Sequence, residues 1–109
     1  MSQSAPSAEQ RHFTGFADFY PYYLSEHRDR TCRRLHFLGT GSASVLLLAA
    51  AACRSWALLA AAPVTAYGLA WIGHFVFEKN RPATFSHPWY SLAGDFVMFR
   101  DMLLGRIRF

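Results

Sequence analysis

The chain has 109 residues and a net charge of +4, and it is 52% hydrophobic but only 17% charged. About a quarter of the residues in a soluble domain are charged, so this composition disfavours an ordinary soluble protein and fits one small domain. The basic residues lie beside the most apolar segments, where anionic lipid headgroups account for them. No groove-reading motif is present, so a nucleic-acid partner is not expected.

The N-terminal part of the chain divides into a polar tail and an aromatic helix. Residues 1–12 are rich in Ser, Ala and Gln, which predicts disorder, and residues 13–109 are expected to form a single membrane-embedded helical domain. Aromatic residues recur at helical spacing between Phe13 and Tyr23. Because such rings favour the headgroup level, this first helix is expected at the membrane interface, where it can also pack on the helices that follow.

Two stretches without Asp, Glu, Lys or Arg come next, at about 35–53 and 55–77, with Arg54 between them. Each has about the 20 residues that a bilayer span needs, which predicts two transmembrane helices joined by a tight turn at Arg54. Basic residues flank the opposite end of this hairpin. The positive-inside rule therefore predicts an integral protein of the inner (cytoplasmic) membrane with both termini in the cytoplasm. A buried hairpin in a soluble bundle is the alternative, and the lack of a charged face disfavours it.

The last part of the chain predicts a loop and one more helix. Arg81-Pro82 ends the second span, and a loop over residues 83–88 follows. Residues 89–104 have a helical pattern, but two aspartates and an arginine make this segment a poor third span, so it is expected at the interface. The predicted fold is all-α, a membrane hairpin of two transmembrane helices flanked by interfacial amphipathic helices.

Two histidines are expected to meet at the cytoplasmic boundary of the hairpin. His36 and His74 lie at nearly equal distances along the chain from Arg54, so an antiparallel hairpin brings them to the same depth. Small residues at steps of four lead to His74 on the second span and match a small face on the first, which predicts close packing of the two helices. These small residues are Ala62, Ala66 and Ala70 on the second span and Gly39, Thr40 and Ala43 on the first.

Two more histidines can reach the same boundary, which predicts a metal site. A break near residues 29–31 would let His27 fold back, and His87 can return after the Arg81-Pro82 turn. Neutral imidazole suits iron, zinc and copper, and histidines with a carboxylate suit non-haem Fe(II) and oxygen chemistry. The predicted metal ligands are His27, His36, His74 and His87. A solvated or hydrogen-bonded role is the ordinary alternative for each histidine taken alone.

Charged residues beside these histidines are the predicted catalytic groups. Glu78 lies one turn beyond His74 and would orient a histidine or bind the ion itself. Lys79 and Arg81 would pair with a substrate carboxylate while apolar helix faces hold its tail. Contact with lipid headgroups alone is the simpler account of the two cations.

Three segments of the chain resemble a known family of small membrane proteins. They are Phe19-Tyr20-Pro21-Tyr22-Tyr23, the segment from His27 to His36, and the run Gly73-His74-Phe75-Val76-Phe77-Glu78-Lys79-Asn80-Arg81-Pro82-Ala83. The resemblance covers nearly all of residues 13–108, and the run from Gly73 is its most specific part. The best-known fungal member of the family is a 2-hydroxy-fatty-acid dioxygenase of phytosphingosine breakdown.

This resemblance implies an Fe(II)-dependent dioxygenase that uses O₂ to shorten a 2-hydroxy fatty acid by one carbon through α-oxidation. The partners that it implies are a lipid or fatty-acid substrate, O₂ and the membrane. The family's histidines would correspond to His27, His36 and His74 in this sequence. His87 belongs to the pattern of bacterial-type members.

Two other functions stay open from the residues alone. His36 and His74 at matched depth would suit the axial ligands of a b-type haem in an electron-transfer protein. Histidines with a purely structural role would suit a non-enzymatic membrane adaptor. In either case, a hairpin with one thin face can form a homo-oligomer.

Overall fold

The computed structural model describes residues 12–109, and this part of the chain is all-helical. The predicted all-α fold and its long hairpin are confirmed. The disorder predicted for residues 1–12 falls outside the described residues, except for His12, which is exposed. The elements in chain order are α1 (Phe16–Ser25), α2 (Arg30–Cys53), α3 (Trp56–Ile72), a π-helical turn (Gly73–Glu78), a 3₁₀ turn (Ala83–Phe85) and α4 (Pro88–Leu103).

The turn between α2 and α3 lies where the sequence predicts it. Arg54 adopts a left-handed conformation with φ of 51° and ends α2. Ser55 then begins α3, since its side chain accepts a hydrogen bond from the Leu58 amide at 3.2 Å. At its other end α2 begins five residues earlier than the predicted span, because Asp29 caps the helix by accepting from the Cys32 amide at 3.0 Å.

Small residues set the close approach of α2 and α3, as the sequence predicts. A Cβ atom added at Gly39 would lie 3.2 Å from the carbonyl oxygen of Ala66, so the two backbones are nearly in contact. Ala43, Ala62 and Ala70 are buried along the same interface. This packing leaves little freedom in how the two helices are positioned relative to each other.

The outward faces of the hairpin are apolar, and no part of residues 12–109 covers them. Leu48 and Val64 are 74% and 72% exposed, and Trp56 beside the turn is 83% exposed. Both arms, from Arg30 to Cys53 and from Trp56 to Glu78, are long and apolar enough to cross a membrane. An exposed apolar surface of this extent is expected where lipid or another protein covers it.

Helices α1 and α4 pack against each other at the end of the hairpin opposite Arg54. Tyr23 donates a hydrogen bond from its hydroxyl to Asp95 Oδ1 at 2.5 Å, and Tyr20 donates to Asp101 Oδ2 at 2.7 Å. A Cβ atom at Gly94 would lie 2.7 Å from the Tyr23 ring, so glycine permits this contact. The aspartates that make α4 a poor membrane span therefore hold α1 in place.

Candidate metal centre

Three histidines converge from three different elements at this end of the hairpin. His27 follows the end of α1, where the chain turns through residues 26–29 before Asp29 caps α2. The interruption of the helix predicted near residues 29–31 is thus present, although it lies a few residues earlier. His36 lies in α2, and His74 lies in the π-helical turn that continues α3.

The three imidazole rings are close together and almost fully buried. One nitrogen or more from each ring lies within 4.8 Å of the others, and His27 Nε2 is 3.1 Å from His36 Nε2. The ring centroids are 4.4 to 4.8 Å apart. Only 2% of His27, 4% of His36 and 2% of His74 is exposed. We call these three residues the histidine cluster.

Each histidine of the cluster uses Nδ1 for a hydrogen bond to an oxygen outside the cluster. His27 Nδ1 donates to the Tyr23 carbonyl at 2.6 Å, and His36 Nδ1 donates to the Cys32 carbonyl at 2.9 Å. His74 Nδ1 donates to the amide oxygen of Asn80 at 2.7 Å. Since carbonyl and amide oxygens only accept, these bonds place the proton of each neutral ring on Nδ1 and leave the lone pair on Nε2.

The resulting donor set fits a metal ion. Metal–imidazole distances of about 2.0–2.1 Å place neighbouring ligand nitrogens about 3 Å apart, which matches the 3.1 Å between His27 Nε2 and His36 Nε2. Two lone pairs at this separation repel each other unless a cation lies between them. Burial lowers the pKa of His27 well below its ordinary value, and His36 and His74 lower it further. His27 is therefore neutral at physiological pH, as a metal ligand must be.

Asn80 and Glu26 form a second layer that the sequence analysis did not assign to the cluster. The Asn80 side-chain nitrogen donates to the backbone oxygen of Glu26 at 3.0 Å and to its Oε2 at 2.8 Å. These two acceptors fix the orientation of the amide, so its oxygen must face His74. Such a partner fixes the tautomer and orientation of a ligand histidine. The six-residue spacing from His74 to Asn80 gave no helical signal, because the chain leaves the π turn between them.

The π-helical turn and Gly73 bring His74 to the cluster, and the sequence analysis predicted neither role. A Cβ atom at position 73 would lie 2.9 Å from Cys32 Sγ and 3.1 Å from Cys32 Cα, so only glycine allows this approach of the two arms. Single π-helical turns within α-helices are frequent at functional sites. The Gly73-His74 pair was the available sequence signal, since a glycine beside a functional residue often marks close backbone contact.

The three predicted catalytic residues lie around the end of the π turn. Glu78 accepts a hydrogen bond from the Asp29 backbone amide and so ties the π turn to the start of α2. Lys79 follows in a left-handed conformation with φ of 58°, and its side chain is exposed. The guanidinium of Arg81 lies over the Phe85 ring, 5.1 Å from its centroid. A direct role in chemistry stays a prediction for all three.

The fourth predicted ligand, His87, lies outside the histidine cluster. Its ring contacts Phe13 and Phe19, with centroids 5.0 and 5.6 Å apart. Its Nδ1 is 2.9 Å from the hydroxyl of Ser86. Among residues 12–109, the group of side chains close enough to share one ion is His27, His36 and His74, without a carboxylate.

The geometry of the cluster disfavours the haem alternative. Axial ligands bind from opposite faces of a porphyrin, so the macrocycle would have to separate the rings of His36 and His74. These rings are 4.8 Å apart, and His27 lies within 4.5 Å of both. A single ion fits between them, and a macrocycle does not.

Comparison with known proteins finds one family that matches nearly the whole of the described chain. A family model described as "2-hydroxy-palmitic acid dioxygenase Mpo1-like" matches residues 13–107. The matched region contains all four helices and the whole histidine cluster. No curated protein and no solved structure matches the chain.

Proposed function

We propose, from the premise that this chain belongs to the Mpo1-like family, that it is an Fe(II)-dependent membrane dioxygenase acting on 2-hydroxy fatty acids. In this reaction one O₂ oxidises the 2-hydroxy acid to a fatty acid one carbon shorter, and the former carboxyl carbon leaves as CO₂ together with one H₂O. The observation that carries the proposal is the buried histidine cluster, in which one ring nitrogen from each of three histidines lies within 4.8 Å of the others. Iron bound there would supply the activation of O₂.

The cluster holds the ion with neutral ligands, which favours an anionic substrate. His27, His36 and His74 leave the two positive charges of a divalent ion uncompensated, and the described residues place no carboxylate among them. A 2-hydroxy acid offers a carboxylate and an adjacent hydroxyl, which are hard oxygen donors for iron. The near-complete burial of the three rings also keeps bulk water away from the reacting atoms.

The residues at the end of the π turn have supporting roles in this proposal. Glu78 acts as a positioning residue, since its bond to the Asp29 amide holds the start of α2 against the π turn and thereby fixes His36 relative to His74. Lys79 and Arg81 are the proposed partners of the substrate carboxylate, because both are cationic and exposed beside Asn80. His87 is left as a neighbour of the aromatic residues of α1.

The proposed location is the inner membrane, with both termini and the histidine cluster on the cytoplasmic side. The hairpin brings the arginines at the start of α2 and the cations after the π turn to the same end, which suits the positive-inside rule. The proposed substrate partitions into this membrane as well. A second copy of the chain is a further candidate for covering the exposed helix faces.

Oxygen uptake by the purified protein tests the function directly. Protein prepared without O₂ and loaded with Fe(II) is expected to consume O₂ when 2-hydroxypalmitic acid is added, and to release a 15-carbon acid. Palmitic acid is the matched control, because it lacks only the hydroxyl. Equal uptake with both acids would exclude the proposed recognition of the hydroxyl group.

The remaining alternative, a non-enzymatic membrane adaptor, makes a different prediction. An adaptor with structural histidines would bind no stoichiometric metal and would keep its fold in the presence of a chelator. Purified protein that contains less than a tenth of an ion per chain after growth with iron, and shows no substrate-dependent uptake after reloading, would favour the adaptor.

A further inference from the structure

An apolar groove runs along the hairpin where α4 packs beside α2 and α3. Its volume is about 460 Å³. A second hollow of about 370 Å³ shares Leu47 and Leu59 with the groove and continues towards Arg54. Along α2 the two together extend from Thr40 to Arg54, about 21 Å at 1.5 Å per residue. One acyl chain in a bilayer covers about half of the 30 Å hydrocarbon core, so the groove can hold a long alkyl chain.

In the 460 Å³ hollow the polar side chains are Thr40, Tyr67 and Asp95, and along α2 and α3 Thr40 and Tyr67 are the lining residues nearest the histidine cluster. Thr40 lies one helical turn from His36. Asp95 lines the same end and accepts a hydrogen bond from Tyr23, whose ring stacks on His27 with centroids 4.0 Å apart. Beyond them the two hollows are lined mainly by apolar side chains, and Arg54 and Ser55 lie at the far end beside the turn. The groove thus has a polar end beside the candidate metal centre, a long apolar middle, and a second polar end at the turn.

We propose that this groove binds the alkyl tail of the fatty-acid substrate, with its carboxyl and hydroxyl end directed towards the histidine cluster. The inference rests on the proposed function, because the cluster identifies which end of the ligand is polar. The apolar middle of the groove matches an alkyl chain in length and polarity, and exposed apolar side chains of the hairpin lie around it. A substrate dissolved in the membrane therefore enters from the side, without crossing the charged end of the molecule.

Leu47 is the best position at which to shorten the groove, because it lines both hollows. Leu47→Trp places an indole across the apolar middle, while Thr40 and Asp95 at the polar end beside the candidate metal centre stay unchanged. Leu48→Trp is the matched control, since Leu48 is the next residue, is 74% exposed and does not line the groove. Both variants add the same side chain at nearly the same depth.

The first experiment measures where a fatty acid lies, and it does not require turnover. Protein in phosphatidylcholine nanodiscs is photolabelled with 2-hydroxypalmitic acid that carries a diazirine at its terminal carbon. Cross-links are expected around Leu47 and Leu59, with competition by unlabelled 2-hydroxypalmitic acid. Leu47→Trp should reduce this labelling at least about fivefold, and Leu48→Trp should not. Labelling spread over the outer faces of α2 and α3, or absence of competition because phospholipid chains fill the groove, would overturn the proposal.

The second experiment compares chain lengths in the oxygen-uptake assay. Each buried methylene contributes about 0.8 kcal/mol, so the loss of two or three methylene contacts lowers kcat/KM about 10- to 50-fold. Leu47→Trp should lower kcat/KM by this factor for the 16-carbon 2-hydroxy acid and leave the 10-carbon acid nearly unchanged. If an active Leu47→Trp enzyme keeps the chain-length dependence of the unmodified protein, the groove does not bind the alkyl tail, although the proposed function still holds. If the unmodified protein takes up no O₂, the proposed function is wrong, and the photolabelling alone then decides whether the groove binds a fatty acid.

Discussion

The two ends of the same hairpin are built on different principles. Around the turn at Arg54, large apolar side chains of α2 and α3 such as Leu48 and Trp56 are exposed among the described residues. At the other end the same two helices are covered by α1, α4 and the π turn, and His36 and His74 are buried almost completely. At the turn end the outer helix faces are exposed to the surroundings, whereas at the histidine end the functional side chains are shielded from them.

This difference shows at which end of the hairpin the positions of the side chains depend on specific residues. At the turn end, any apolar side chain that tolerates lipid suits the outer faces. At the histidine end, each ring is held by a hydrogen bond at Nδ1, and two glycines allow contacts that a methyl group would prevent. Substitutions at the histidine end are therefore expected to have large effects, and equivalent substitutions in the apolar half small ones.

The largest effect is expected from loss of a histidine of the cluster. His27→Ala, His36→Ala and His74→Ala each remove one of three ligands, so bound iron should fall from about one ion per chain to less than a tenth. Oxygen uptake should fall at least about 100-fold, beyond the 10–100-fold expected for a residue that only supports a ligand. Metal analysis after anaerobic purification measures the first quantity, and circular dichroism checks that each variant is folded.

His12→Ala is the control for these variants, because His12 is exposed and distant in sequence from the cluster. His87→Ala decides the role of the fourth predicted ligand. Since His87 contacts the aromatic residues of α1 and lies outside the cluster, the metal content should be unchanged. Loss of iron in His87→Ala alone would restore His87 to the ligand set.

A smaller effect on iron binding is expected from Asn80, which contacts a histidine of the cluster and is not itself a ligand. Asn80→Ala removes the acceptor of the His74 Nδ1 proton, so the ring can rotate and change tautomer. Iron affinity should fall about 10- to 100-fold, the usual cost of losing such a partner. A competition titration with a chelator measures it.

Asn80→Asp in a Glu26→Gln background separates the hydrogen bond from the volume of the side chain. The aspartate keeps an acceptor for His74, and the glutamine amide at position 26 can donate to its second oxygen where Glu26 would repel it, so the effect on affinity should be smaller than that of Asn80→Ala. Equal losses in the two variants would mean that Asn80 supports the loop and not the tautomer of His74.

The sequence predicted the parts of this molecule that follow from periodicity and depth. The uncharged stretches correctly predicted both long helices, and Arg54 predicted the turn between them. The equal depth of His36 and His74 predicted that the two histidines lie close together. The small residues at steps of four correctly predicted the face on which the helices meet.

The remaining features depend on contacts between distant residues. A π-helical turn has no periodicity of its own over six residues, so Gly73–Glu78 was expected to continue the α-helix. The hydrogen bond between Asn80 and Glu26 joins residues 54 positions apart, so no local sequence pattern predicts it. His87 was predicted as a ligand because the chain can return to the boundary after the Arg81-Pro82 turn, but its ring lies against Phe13 and Phe19.

Substitution of Gly73 tests the close approach at the histidine end. In Gly73→Ala the new methyl group would lie within about 3 Å of Cys32 Sγ and Cα, so α2 and the π turn must move apart. Overpacking of this kind costs about 1–3 kcal/mol, and thermal unfolding in detergent should detect it. The displacement should also weaken iron binding, because His74 is the next residue.

Gly68→Ala is the matched substitution in the apolar half of α3. A Cβ atom at Gly68 meets nothing within 4 Å, and alanine is favoured over glycine in a helix by up to about 1 kcal/mol. The stability of this variant should be unchanged or slightly raised. Equal destabilisation by both substitutions would contradict the difference between the two ends.

The smallest effect is expected from Asp95, whose carboxyl lies between the histidine end and the apolar groove. Burial raises the pKa of Asp95 to about 7, against the opposing effect of the Tyr23 hydrogen bond. Between about pH 4 and pH 7 the folded protein keeps a proton that the unfolded chain has lost, so stability should fall as the pH rises through this window. Asp95→Asn keeps an acceptor for Tyr23 and should remove that fall.

Melting temperatures of the unmodified protein and of Asp95→Asn at pH 5 and pH 8 measure this difference. From pH 5 to pH 8 the unmodified protein should lose more stability than the variant, and the remaining part of the difference lies below pH 5, down to the pKa of the unfolded chain. Asp18→Asn is the control, because it makes the same substitution at an exposed position on α1. If the stability of Asp95→Asn and that of the unmodified protein fall in parallel, water reaches the Asp95 carboxyl at the polar end of the groove. The region of the molecule that excludes water would then begin at His27 and would not include the hydrogen bond between Tyr23 and Asp95.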